Sequence, residues 1–434
     1  MTGLRYPPAR IAWLTVAILF VLYIRSLADR YLMALMVEPI KADLGLSDLQ
    51  VSLLQGPAFA VLYSICAIPV GLLLDRSSRR WVLFGCVVLW SSGAAFCGLA
   101  GTFAALALGR SLVGAGEAGY TTGAYSIIGD SFPPERLSLA MSIFVMGGVM
   151  GAGIVFLLGG PLVGAVLKGA TAGWPLIGHF APWQQAFLIT GIPGVATALL
   201  ILLFPEPPRQ RAAGAPAGGG YGEALRFILA NRRAFAAIIL GIGLVYTVTI
   251  ALQLWTPTYL IRIYGWTPTQ IGVTMGIAQI VPAASLPLHG WAVDRMFSRG
   301  RRDAHILWCL MTMLVASPLA ICAFLVGNPV LTVALFGGYM LFILSTASMG
   351  PAATQVVTPP ELRGRVSAIF VLVTGLIGMA LGTFLVGFFT DKVLGDPLKI
   401  GTSLILLVAI VLSVSAILFA QGRAQLRRLA AVRD

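Results

Sequence analysis

Residues 133–144 read PPERLSLAMSIF, and residues 359–370 read PPELRGRVSAIF. The two stretches agree at both prolines, the glutamate and the closing Ile-Phe. Two further pairs keep the same order at a nearly constant offset: SDLQVSLLQG from Ser47 with TPTQIGVTMG from Thr267, and GLLLDR from Gly71 with GWAVDR from Gly290. Three matches in one order mean that the chain is built twice from one unit.

What surrounds the repeats says what that unit is. Of the 434 residues 58% are hydrophobic and only 10% charged, against about 25% charged in an ordinary soluble domain. There is too little polar surface here to cover a water-facing globule. The apolar runs are unbroken, which excludes the alternating strands of a membrane barrel, and their length suits the roughly 20 residues of a membrane-crossing helix. Runs at about 11–36, 50–74, 81–101, 104–128, 137–165 and 185–204, then 234–261, 268–292, 304–326, 329–350, 365–390 and 400–421, make spans 1 to 12. The expected architecture is an all-α integral membrane protein, with twelve transmembrane helices in two pseudo-symmetric six-helix bundles, residues 1–204 and 234–434. Residues 205–233 form the expected cytoplasmic linker. Its first part, Pro205 to Gly222, is rich in Pro, Gly and Ala and reads as flexible; its end, Glu223 to Arg233, can form a short helix on the membrane surface.

The net charge of +13 suggests nucleic acid only until the arginines are placed, for they are scattered between apolar spans. With the N-terminus inside, 21 of the 29 Lys and Arg residues fall in inner segments and 5 in outer ones. This is the asymmetry that orients membrane proteins, and it puts both termini and the linker in the cytoplasm. Trp13, Trp81 and Trp291 near inner ends, and Trp174, Trp183 and Trp266 near outer ones, suit interfacial anchors. The five cysteines, Cys66, Cys86, Cys97, Cys309 and Cys322, all lie in apolar runs and read as packing residues. His179, His289 and His305 have no metal-ligand spacing. No cofactor, metal or nucleic-acid partner is expected, and the chain is expected to be a monomer in the cell membrane.

Five ionisable residues lie well inside spans: Arg25, Asp29 and Arg30 in span 1, Arg110 and Glu117 in span 4. Each costs about 2.5–3.5 kcal/mol or more at a helix centre, so such residues usually face a cavity and serve transport. The alternative is an ion-pair network that merely joins helices. Arg25 and Asp29 share a face, and so do Arg110 and Glu117. The two acids are therefore expected to be served by Arg25 and Arg110, leaving Arg30 to bind an anion such as phosphate or carboxylate. Asp29 and Glu117 are the candidate proton sites, since burial and arginine neighbours act on a carboxylate in opposite directions. In the second half Tyr246, Thr249, Gln253 and Gln279 are polar candidates, of which Tyr246 and Gln253 are taken for the substrate; a bond to a neighbouring helix is the equal alternative. The expected site has a charged first wall and a weakly polar second wall, which suits an amphiphile.

Gly71-Leu-Leu-Leu-Asp75-Arg76-Ser-Ser-Arg79-Arg80 resembles the cytoplasmic loop signature of the major facilitator superfamily, G-x-x-x-D-R-x-G-R-R, with Ser78 in place of the second glycine. Arg110-Ser-Leu-Val-Gly114-Ala-Gly116 resembles a second motif of that superfamily. Gly160-Pro161-Leu-Val-Gly164 matches its antiporter signature only in part, and Gly147, Gly148, Gly151 and Gly153 read better as close helix packing. Ala28-Asp29-Arg30-Tyr31 together with Gly116-Glu117-Ala-Gly-Tyr120 resembles the Spinster branch, from which Arg25 departs. The resemblance implies two bundles that rock about a midplane site. It further implies gating by Gly71, Asp75, Arg76, Arg80, Asp294 and Arg295, and a lysophospholipid or sphingosine-phosphate-like substrate moved with protons. A proton-linked organic-acid symporter and a hydrophobic drug exporter remain alternatives. An enzyme would need a nucleophile-base pair or a metal cluster, and neither is found.

Overall fold

The computed structural model describes residues 6–209, 221–359 and 362–431, all helices and connections with no strand among them. Apolar runs become helices because a bilayer offers no partner to a free N–H or C=O, so each segment must satisfy its own backbone. Eleven described helices are long and apolar enough to cross a membrane. The remaining expected span, 104–128, is two helices, Phe103–Glu117 and Tyr120–Ser131, broken at Ala118-Gly119.

The repeat seen in the sequence is visible as repeated local chemistry. Ser47 accepts from the Gln50 N–H at 3.2 Å while Gln50 Oε1 accepts from the Ser47 N–H at 2.9 Å. Thr267 and Gln270 make the same reciprocal pair at 3.3 and 2.9 Å. Each is a capping box, which satisfies two orphan donors where a helix begins.

The chain forms two compact units, Met1–Ala213 with Leu260–Ile277, and Gly214–Tyr259 with Ala278–Asp434. In the first unit span 1, Ala9–Leu35, packs along span 5, Pro134–Leu167. The glycines explain how. A Cβ on Gly147 would stand 2.9 Å from the Phe20 ring, and one on Gly151 2.6 Å from the Leu27 side chain, with Gly148 against Tyr23 between them. Glycines on one helix thus meet large side chains one and two turns apart on the other, the close packing expected of small residues in membranes.

A polar network within the first unit had no sequence signal. Asp48 is fully buried, accepts from Arg262 Nη1 and Nη2 at 2.6 Å each, and also pairs with Lys41. Arg262 pairs in addition with Glu38 at 2.7 Å. In the second unit, the last helix, Ile400–Ala431, runs about 48 Å at 1.5 Å per residue, well beyond a bilayer core, and its end holds Asp303 through Arg423 at 2.7 Å and Arg427 at 3.2 Å.

The start of the expected linker is tied to the first unit: the Pro207 carbonyl accepts from Arg79 at 2.8 Å, and Arg209 donates to the Leu74 and Ser77 carbonyls at 2.7 and 2.5 Å. Buried charge at Arg79 overrides the local Pro-rich composition. Residues 210–220 of the expected linker lie outside the described residues.

Candidate functional site

Span 2 prepares the site by breaking. Helix Asp48–Gln55 ends at Gly56, and Pro57, which has no N–H to donate, starts the next helix, Pro57–Arg76. The break leaves the Leu54 carbonyl to Arg110, whose Nε donates to it at 3.2 Å. Phe59, one turn on, lies under two cations: the Arg30 guanidinium is 4.1 Å from its ring centroid and that of Arg110 5.6 Å. Such contacts are worth about 0.5–2 kcal/mol. Gly114 and Gly116 let span 4 come this close, because a Cβ on Gly114 would strike the Phe59 carbonyl and one on Gly116 would stand 2.8 Å from the Trp90 Cβ.

All five intramembrane charges converge in the first unit. Asp29, Arg110 and Glu117 are 0, 1 and 5% exposed. Arg25 Nη1 faces Asp29 Oδ2 at 3.5 Å, and its Nη2 donates to the Thr190 carbonyl of span 6 at 2.5 Å. Arg30 Nη2 forms an ion pair with Glu117 Oε2. This corrects the expected pairing: Glu117 is served by Arg30 and not by Arg110, so Arg30 is not the uncommitted cation. The break at Gly56-Pro57 gives Arg110 a backbone acceptor at Leu54 instead. Span 1 ends at Leu35 and is followed by a second, charged helix, Val37–Leu44.

Asp29 Oδ1, Glu117 Oε1 and Arg110 Nη1 are buried with no hydrogen-bond partner among the described residues. A buried unpaired donor or acceptor costs roughly 1–3 kcal/mol, more when charged. With both acids ionised the three arginines leave the cluster at a formal +1. Chemically, that excess positive charge can hold an anion. Tyr120 closes one side by donating to the Leu19 carbonyl at 2.6 Å.

The second-unit candidates are placed less distinctively. Tyr246 is half-buried with its ring against Gly378. Gln253, two turns further, approaches the Met340 sulfur at 3.9 Å. Thr249 is spoken for by the Val245 carbonyl at 2.9 Å and the Tyr339 hydroxyl at 3.0 Å, as the structural alternative required. Gln279 is buried.

At the loop motif the organising residue is Arg79, which was not singled out. Only 1% exposed, it pairs with Asp130, donates through its backbone N and Nε to Glu206 at 3.0 and 3.2 Å, and donates to Ser126 Oγ at 2.9 Å. Burial raises the Glu206 carboxyl, but hydrogen bonds from Ser78 and Arg79 and the Arg79 charge outweigh it and hold the group below the usual carboxylate range. Arg80 donates to the Ile201 and Leu202 carbonyls at 3.2 and 2.5 Å. Gly71 is helical and Arg76 exposed, while the Asp75 side chain lies outside the described residues. In the repeat Asp294 is exposed, and the Arg295 guanidinium lies 5.4 Å over Trp291. The buried hub could have been suspected from Glu206, a lone acid in a basic, Pro-rich stretch; Phe59 and the carbonyls of Leu54 and Thr190 carried no signal beyond the Gly56-Pro57 break.

A duplicated set of membrane-crossing helices with a cluster of buried charges in the first unit has the build of a secondary transporter. The chain belongs to the Major Facilitator Superfamily, whose model matches residues 18–383. It is 30% identical to an MFS-type efflux pump of Mycolicibacterium smegmatis (strain ATCC 700084 / mc(2)155), over 98% of this chain and 95% of that one. It is 29% identical to protein spinster homolog 3 of Danio rerio, over 88% and 78%. The fold is similar to the crystal structure of a bacterial homolog of the human lysosomal transporter Spinster, in an inward-facing and unoccupied conformation, with TM-score 0.80, 23% identity and 98% of each chain covered. The Spinster likeness read from spans 1 and 4 thus extends over nearly the whole chain.

Proposed function

We propose that the protein is a proton-coupled, alternating-access transporter of an amphiphilic anion, with a lysophospholipid or sphingosine-phosphate-like lipid favoured over a small organic acid. The observation that carries the reading is the Arg30–Glu117 ion pair. Glu117 occupies the guanidinium that an anionic headgroup needs, so carboxylate and substrate compete for one cation. Protonation of Glu117 releases Arg30, which stays over the Phe59 ring, the headgroup takes the carboxylate's place on the guanidinium, and Arg110 Nη1 and Arg25 supply further positive charge. Asp29, paired with Arg25, is the second proton site. Tyr246 and Gln253 are the second unit's candidates for the same substrate. Gly71, Asp75, Arg76, Arg80, Asp294 and Arg295 gate the cytoplasmic side, the protein works as a monomer in the cell membrane, and both termini are cytoplasmic.

The test is reconstitution in liposomes with lysophospholipids and soluble organic anions, with and without a pH gradient. Uptake or release of an anionic lysolipid that follows the gradient and is lost in Arg30→Ala supports the proposal. Transport indifferent to both refutes it. The likeness to a mycobacterial efflux pump favours one second reading, export of hydrophobic drugs, which predicts transport of uncharged compounds that survives Arg30→Ala.

A further inference from the structure

Helix Tyr221–Ala230 leads, through Asn231 alone, into the membrane-crossing helix that begins at Arg232. Its C-terminal end therefore continues directly into a helix that crosses the membrane. The corner is fixed: the Asn231 side chain donates to the Phe227 carbonyl at 3.0 Å, and Gln425 of the last helix accepts from the Ala234 N–H at 3.0 Å. The helix is held against its own unit, with Ala224 and Ile228 buried and Phe227 edge-on to Phe235 at 5.6 Å.

At about 100° per residue its surface divides into three sectors. Taking Tyr221 as zero, Phe227, Ala224 and Ile228 lie at about 240–340° and face the protein. Tyr221, Leu225 and Leu229 follow at about 0–80°, yet these three are 63, 49 and 62% exposed. Gly222, Arg226, Ala230 and Glu223 complete the circle at about 100–200°. Protein on one side, an exposed apolar stripe beside it and a polar face opposite is the pattern of a helix lying in a membrane interface. Arg226, Arg232 and Arg233 are all exposed, and the helix carries one acid, Glu223, against them.

We infer that helix Tyr221–Ala230 is a lipid-binding surface: Tyr221, Leu225 and Leu229 enter the leaflet, and Arg226, Arg232 and Arg233 hold the headgroups of anionic phospholipids. An arginine near an anionic surface is worth about fivefold in partition, so the three together select strongly for anionic over zwitterionic lipid.

The test uses the full chain with a polarity-sensitive fluorophore on Leu225→Cys, the wild type being labelled in parallel to subtract its own cysteines. It is reconstituted in phosphatidylcholine and in an equal mixture of phosphatidylcholine and phosphatidylglycerol. The expected result is blue-shifted emission, quenched by brominated lipid and not by aqueous iodide. In native mass spectrometry, retained phosphatidylglycerol should fall several-fold in the Arg226→Gln, Arg232→Gln, Arg233→Gln variant. The matching Arg→Lys variant should keep it, which separates loss of charge from loss of fold. A probe quenched by iodide overturns the inference, and so does one shielded from both quenchers, which would mean a protein partner. A probe in lipid with unchanged phosphatidylglycerol retention overturns the anionic assignment.

Discussion

Replacing Glu117 with glutamine removes one negative charge from a cluster of three arginines and two acids, raising its formal charge from +1 to +2 while keeping the side chain's shape. In the wild type an incoming anion must displace the Glu117 carboxylate from Arg30, and that carboxylate, 5% exposed, has no water to fall back on. A hydrogen bond to a charged group is worth about 1.5–3 kcal/mol, so removing the competitor should strengthen anion binding about ten- to a hundredfold. The direction agrees with simple Coulomb reasoning, since one unit charge about 7 Å away contributes roughly 2.4 kcal/mol at an effective dielectric of 20. The assay is binding of an anionic lysolipid to purified protein across about pH 5 to 8. Wild-type affinity should rise as pH falls and Glu117 takes a proton; Glu117→Gln should be uniformly high and flat. Arg30→Ala should bind weakly at every pH, and adding Glu117→Gln to it should change little, because the carboxylate then has no guanidinium to block. Arg30→Lys should recover part of the binding, since an ammonium keeps the charge but not the planar fork. The competition mechanism is refuted if Glu117→Gln binds no better than wild type at neutral pH, or if its binding keeps the wild-type pH profile.

Asp29→Asn should lose stability, because it breaks the fully buried partner of Arg25 at a cost of about 3–5 kcal/mol; thermal unfolding in detergent measures it. Arg79→Ala should destabilise by a similar amount, with Arg79→Lys recovering little, as a lysine cannot reach Asp130, Glu206, Ser126 and the Pro207 carbonyl together. Glu206 has a lowered folded-state pKa, so its contribution to stability is complete above the unfolded carboxylate range and lost as pH falls below about 4; Glu206→Gln should flatten the acid limb of a stability profile. Asp75→Asn and Asp294→Asn should shift the conformational balance toward cytoplasm-open states, read as increased labelling of introduced cysteines from that side, and unchanged labelling in both would reduce the loop motif to a topology signal.

The spans, their number and their duplication were legible in the sequence, because a bilayer makes the decisive interactions local. Twenty apolar residues must form a helix whatever lies beside them, and capping pairs such as Ser47 with Gln50 and Thr267 with Gln270 close within four residues. The five charges that converge in the first unit were legible for the same reason: a charge inside an apolar run costs so much that its presence already marks it. The pairing was not. Arg30 and Glu117 stand 87 positions apart, and whether they meet depends on the rotation and depth of two helices, set by glycines against Phe59 and Trp90 and by the break at Gly56-Pro57. Asp48 with Arg262, and Arg79 with Glu206, are likewise decided by tertiary packing. An arginine reaches several ångströms in any direction, so only the packed helices choose which of its neighbours it binds.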